Sequence, residues 1–143
     1  MTVDSFLDTN ILVYAAAGSG SEASKKKRAL ELIENENFGL SVQVLQEFYV
    51  TVVRKARTPL APAAALEWIE QFEAFPCLPL DSGFVKIAAE AGERHRLSYW
   101  DGAIIAAAEL LGAKTLYTED LNDGQEYGTV RVRNPFRDPG KRT

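Results

Sequence analysis

The chain has one cysteine and one histidine, and each scarcity closes off a chemistry. A single thiol, Cys77, can form neither an internal disulfide nor a cysteine-rich zinc site. A reducing, cytoplasmic setting is therefore expected, with Cys77 in the core. A single histidine, His95, leaves no second candidate for a histidine-centred serine or cysteine triad. Flanked by Arg94 and Arg96 at an expected helix end, it reads as a surface charge rather than a base. No apolar run is long enough to cross a bilayer, and Asp4 and Asp8 interrupt the N-terminal stretch where a signal peptide needs an apolar core. The Gly18-Ser19-Gly20-Ser21 stretch lacks the glycine-lysine spacing of a phosphate-binding P-loop, and there is no dinucleotide-binding glycine fingerprint. An excess of cations is missing too. Sixteen Lys and Arg against twenty Asp and Glu give a net charge of −4, which argues against a general nucleic-acid coat held by phosphate neutralisation.

What is present is an alternation of short apolar runs with helix-spaced ones. Val3 to Leu7 and Phe38 to Val42 read as strands, Thr115 to Tyr117 as a buried strand and Val130 to Val132 as a last short one. Phe75 to Leu80, broken by Pro76 and Pro79, fits only a short or edge strand. Between them lie expected helices after Asp8, over Glu22 to Asn35, over Gln43 to Ala56, from Pro62, from Gly83 to His95 behind an Asp81-Ser82 cap, and from Tyr99 to Gly112. The alternation predicts an α/β fold: a three-layer α/β/α sandwich with a mainly parallel central sheet. At 143 residues the length fits one domain over 1–137, with 138–143 as a flexible basic tail.

In a parallel sheet the ligand crevice lies beyond the carboxyl ends of the strands. Asp8 follows the first strand, and Glu119, Asp120 and Asp123 follow the strand at Thr115 to Tyr117. The helix starting near Tyr99 runs antiparallel to that strand, so Asp101 shares the rim. Glu47, in the first two turns of the helix after the second strand, leans toward the same crevice. Carboxylates brought together repel: two unit charges about 4 Å apart cost roughly 4 kcal/mol at an effective dielectric near 20. A divalent cation offsets that, and an oxygen-only ligand set favours Mg²⁺ or Mn²⁺ over zinc. Such a site suits phosphodiester hydrolysis by one ion, or by two about 3.5–4 Å apart.

Each acid also has a plainer explanation. Asp8 fits an N-cap. Asp101 stands three residues after Ser98 in a helix-capping arrangement. Asp120 and Asp123 lie in a polar turn, and Glu47 falls off the Leu45/Tyr49/Val52 stripe of its helix. Their joint placement carries the argument. An aspartyl-phosphate mechanism is disfavoured because Asn10 stands two residues after Asp8, where a second carboxylate is needed.

Asp8-Thr9-Asn10, Glu47, Trp100-Asp101-Gly102-Ala103-Ile104-Ile105-Ala106 and Thr118-Glu119-Asp120 together resemble the spaced signatures of the PIN-domain nucleases, over a span from about Val3 to Phe136. The size resembles the toxin of a VapBC-type toxin–antitoxin pair. The resemblance implies a Mg²⁺- or Mn²⁺-dependent endoribonuclease, often homodimeric, inhibited by a small antitoxin that blocks the active-site groove. Asp8, Glu47, Asp101 and Asp120 then become the catalytic and metal-binding acids, with Thr9, Asn10 and Thr118 orienting carboxylates or waters. Many relatives carry a further aspartate two residues after the last of these acids. Here Asn122 holds that place and Asp123 comes next, so Asp120, Asp123 or both are left to face a second ion, while Glu119 points elsewhere.

The expectation is a nuclease acting on RNA with an antitoxin partner, no membrane association and RNA contacts first from Arg54, Lys55 and Arg57, which extend the helix of Glu47. The competing readings are a PIN-type RNA-maturation nuclease without an antitoxin, and a non-enzymatic module whose acids bind a cation or a partner's arginine.

Overall fold

The computed structural model describes residues 2–137; the basic tail expected at 138–143 lies outside them. Six strands form one sheet in the order β3-β2-β1-β4-β6-β5: β1 (Ser5–Leu7), β2 (Phe38–Ser41), β3 (Cys77–Leu78), β4 (Thr115–Tyr117), β5 (Glu126–Tyr127) and β6 (Val130–Arg133). Every pairing is parallel except β5 on β6. All residues of β1 and β2 are buried, as a parallel sheet covered on both faces requires. The covering helices are α1 (Thr9–Ala17), α2 (Ala23–Asn35), α3 (Val42–Val50), α4 (Pro62–Phe72), α5 (Ser82–His95) and α6 (Tyr99–Leu110). None of them is long and apolar enough to cross a membrane.

Local chemistry starts most of these helices. Asp8, Ser41, Asp81 and Ser98 are N-caps whose side chains accept from the backbone N–H of Thr9, Val44, Phe84 and Asp101, and Pro62 occupies the first turn of α4, where its missing N–H costs nothing. Past α6, Gly112 adopts φ +79°, the left-handed conformation that turns the chain back toward β4.

Three features differ from the pattern expected of the sequence. The helix expected over Gln43 to Ala56 ends as α3 at Val50 and continues as a π turn, Thr51–Lys55, where the β-branched run Thr51-Val52-Val53 crowds a regular helix. Strand β5 is two residues long, too short for a periodic signal. Cys77 is half-buried on the edge strand β3 rather than sealed in the core, and that partial burial pushes its thiol pKa up.

The core runs along both faces of β1: Phe6, Leu7, Ile11, Leu12, Phe38, Leu40, Ile105 and Leu116 are fully buried. Burial of each large side chain contributes about 1.5–3 kcal/mol. α6 presses so closely on α5 that a Cβ on Gly102 would lie 2.5 Å from the backbone nitrogen of Gly92. Only hydrogen fits there. The chain leaves β1 toward β2 on one side and β4 packs on the other, so the strand order reverses between β1 and β4. That reversal is the place where open α/β sheets leave a crevice.

Candidate active site

The register of β1 on β4 builds the centre of the site. Leu7 pairs with Tyr117, and the next residue on each strand, Asp8 and Thr118, therefore face one another as the strands end. The Asp8 N–H donates to the Tyr117 carbonyl at 3.1 Å, and the Thr118 hydroxyl donates to Asp8 Oδ2 at 2.8 Å. Asp8 Oδ1 accepts from the Thr9 N–H at 2.7 Å. One carboxylate thus serves both as the cap of α1 and as the floor of the crevice.

The network widens from there. Asn10 Nδ2 donates to the Thr118 hydroxyl oxygen and to Asp120 Oδ2, each at 3.0 Å, and the Asp120 N–H donates to the same hydroxyl at 3.1 Å. The Thr9 hydroxyl, one residue from Asp8, donates to Glu47 Oε1 at 2.7 Å. Gln43, a turn before Glu47 on α3, places its Nε2 at 3.5 Å from Glu47 Oε2 and at 3.3 Å from the Trp100 carbonyl. That contact ties the start of α6, and hence Asp101 in its first turn, to the helix of Glu47.

Electrostatics marks Asp8 as the strained member. It is 7% exposed, and its pKa is pushed up from 3.8 to about 6. Loss of hydration is the largest cause. The hydrogen bonds from Thr9 and Thr118 oppose it, and the charges of Asp120 and Glu47 add to it. Among the described residues, Asp8, Glu47, Asp101 and Asp120 form no ion pair with a lysine or arginine.

The structure therefore brings Asp8, Glu47 and Asp120 into one hydrogen-bonded group with Thr9, Asn10 and Thr118. It leaves Asp101 at the same end, attached through Gln43. Asp123 is engaged elsewhere: its carboxylate accepts from the Asn134 N–H at 2.9 Å and pairs with Arg137 at 3.4 Å. Glu119 also turns away, meeting the Tyr14 hydroxyl at 2.7 and 2.9 Å and Lys25 at 3.2 Å. His95 is not the solvated charge expected of it. Its ring meets Tyr127 edge-on at 5.5 Å, and Nε2 is buried with no hydrogen-bond partner among the described residues.

Among the described residues, no three Asp, Glu, His or Cys side chains converge closely enough to hold an ion by themselves. Mg²⁺ does not require that, since it takes one or two carboxylates and fills its octahedron with waters and phosphate oxygens. The surroundings fit such an ion. The Asp8 carboxylate is destabilised first by burial and further by the charges of Asp120 and Glu47, and Asn10 Oδ1 is a buried acceptor with no donor among the described residues.

Beside the acids opens a cleft of about 410 Å³ whose walls include Asn10, Asp120 and Tyr14 together with Lys55 and Arg57. Lys55 also lines a shallower pocket against Glu47. Arg54 is exposed and does not line the cleft. Sequence reasoning missed Gln43 and the Tyr14–Lys25–Glu119 cluster. Gln43 left one signal, its spacing of four residues ahead of Glu47 on a helix; the Tyr14 cluster left none, because its members are joined only by the fold.

A family model for the PIN domain matches residues 5–122. No curated protein sequence matches the chain. Among solved structures, the chain is similar to a toxin–antitoxin complex from Klebsiella pneumoniae, with a TM-score of 0.69, 17% identity, and 94% of this chain and 100% of that one covered. It is also similar to VapBC2 from Rickettsia felis bound to a promoter DNA fragment, at 0.60 and 20%, covering 91% and 97%. A third, VapC20 of Mycobacterium tuberculosis, described as a sarcin-ricin-loop-cleaving toxin, aligns at 0.63 and 18%, covering 82% and 90%. At these identities the likeness speaks for the fold.

Proposed function

The chain belongs to the PIN domain family, and from that premise we propose that it is a Mg²⁺- or Mn²⁺-dependent endoribonuclease, the toxin of a toxin–antitoxin pair. The observation that carries the reading is the continuous hydrogen-bonded group linking Asp8, Thr118, Asn10 and Asp120 and, through Thr9, Glu47. It stands at the strand ends with a destabilised carboxylate in its floor and two cations in the walls of the adjoining cleft.

Asp8, Asp120 and Asp101 are the acids that would hold the ion, directly or through its waters. When bound, it supplies Lewis-acid polarisation of a phosphate oxygen and acidifies water. The protein's own groups set the geometry. Thr118 and the Thr9 N–H fix the Asp8 carboxylate, and the Asn10 amide holds Asp120 beside it. Glu47 is locked at Oε1 by the Thr9 hydroxyl, while Oε2 is held only by the long contact to Gln43. Oε2 is the atom that accepts a proton from the attacking water. Lys55 and Arg57 hold the RNA backbone along the cleft.

The neighbouring structures that contain antitoxins, and the RNA target named for VapC20, support an antitoxin partner and an RNA substrate. The net charge of −4 suits a basic antitoxin segment. A homodimer in a reducing compartment completes the reading. The test is cleavage of RNA by purified protein freed of any partner, with the product ends sequenced. Cleavage should need Mn²⁺ or Mg²⁺ and disappear in Asp8→Asn and Asp101→Asn. Intact RNA with the metal-loaded wild type, or cleavage that survives excess chelator, would overturn it.

A further inference from the structure

Of the two tryptophans, Trp68 packs on α4 against Phe72, ring centroids 5.8 Å apart, whereas Trp100 stands 62% exposed in the first turn of α6. We propose that the Trp100 indole is a stacking platform for one base of the single-stranded RNA whose backbone crosses the acids, an inference that rests on the nuclease reading above.

A large exposed hydrophobe standing alone needs no explanation, but the position of this one is fixed relative to the site. Its carbonyl accepts from Gln43 Nε2, the amide that also reaches Glu47, and the next residue in the chain is Asp101. Tyr99 meets the indole edge-on, ring centroids 4.9 Å apart at 89°. That perpendicular contact braces the indole on one side, and its 62% exposure leaves aromatic surface open to solvent. A braced indole loses little side-chain freedom on binding, and a base stacks on it whatever its identity, because every base has a π-face. Lys55 and Arg57 grip only phosphate charge, so the aromatic face supplies the contact that distinguishes a nucleic acid from a bare polyanion.

The experiment compares the binding of a labelled oligoadenylate with that of an abasic ribose-phosphate chain of the same length, by fluorescence anisotropy in chelator. The two probes carry the same backbone charge, so repulsion from the metal-free acids cancels between them. Wild type should prefer the base-bearing probe about tenfold. Trp100→Ala should lose that preference while binding the abasic chain as before, and Trp100→Tyr should keep most of it. In the cleavage assay Trp100→Ala should raise KM by a similar factor and leave kcat near wild type. An unchanged preference in Trp100→Ala overturns the platform, even if the protein cleaves RNA. So does loss of self-association by Trp100→Ala with the preference intact, which would make the indole a contact between copies of this chain. A preference that vanishes with Trp100 in a protein that cleaves nothing supports the platform while the nuclease reading fails.

Discussion

Replacing Asp8 by asparagine separates what this carboxylate costs the fold from what it contributes to the site. A rise in pKa from 3.8 to about 6 means that, without metal, the charged form destabilises the folded protein by about 3 kcal/mol at neutral pH. The sign follows from proton counting. Between pH 4 and 6 the folded state binds more protons than the unfolded state, so stability falls as pH rises through that window. The penalty is absent below it and complete above it. Asparagine has no charge to desolvate and can still accept from the Thr9 N–H. It loses the hydrogen bond from Thr118, because that hydroxyl cannot donate to an amide NH₂ facing it, at a cost of about 1 kcal/mol. In chelator at pH 8, Asp8→Asn should therefore be more stable than wild type by about 2 kcal/mol, a rise in Tm of roughly 5 °C. The gap should close as pH falls to 4.5. Adding Mn²⁺ should reverse it by raising wild-type Tm more than that of the variant. Thermal unfolding followed by circular dichroism across pH, with and without Mn²⁺, measures all three arms. A variant less stable than wild type in chelator at pH 8, or a gap that ignores pH, would refute the account of Asp8 as a carboxylate strained by burial.

Because the ion must displace a proton from Asp8 at low pH, the half-saturating Mn²⁺ concentration for cleavage should rise about tenfold per pH unit below about 6, and a flat dependence would show that Asp8 is not a ligand. Thr118→Val removes the hydroxyl shared by Asp8, Asn10 and Asp120; about 10–100-fold loss of cleavage or metal affinity is expected, checked by a Mn²⁺ titration of the initial rate. Gly102→Ala forces a methyl onto the Gly92 backbone and should cost about 1–3 kcal/mol, read as a lower urea midpoint.

The parts of the fold that sequence made readable are those with local causes. Asp8, Ser98 and Pro62 announce helix starts because a cap or a missing N–H acts within one turn. The meeting of Asp8 with the Thr118–Asp120 segment follows once β1 and β4 are taken as neighbours, since both residues trail the ends of adjacent parallel strands. The rest depends on contacts between distant segments. Strand β5 exists because Glu126 and Tyr127 find β6, not because two residues carry a pattern. His95 looked solvated between two arginines, yet Tyr127 packs against its ring. Asp123 looked as available as Asp120 until Arg137 and the Asn134 N–H, more than ten residues on, engaged it. Neither Gln43 nor Tyr14 belongs to a motif, and each matters through partners that only the folded chain supplies.

The Thr118 hydroxyl receives two N–H groups, from Asn10 and from Asp120, so its single proton has one outlet, Asp8 Oδ2. A proton arriving at Asp8 therefore cannot lodge on the side already facing that O–H without breaking the arrangement, and the lone pair toward Oδ1 is occupied by the Thr9 N–H. Of the roughly four acceptor directions a carboxylate offers, two are spent before any solute arrives. Thr118 on Oδ2 and the Thr9 N–H on Oδ1 fill those two directions between them, and together they dictate the side from which an incoming cation can approach.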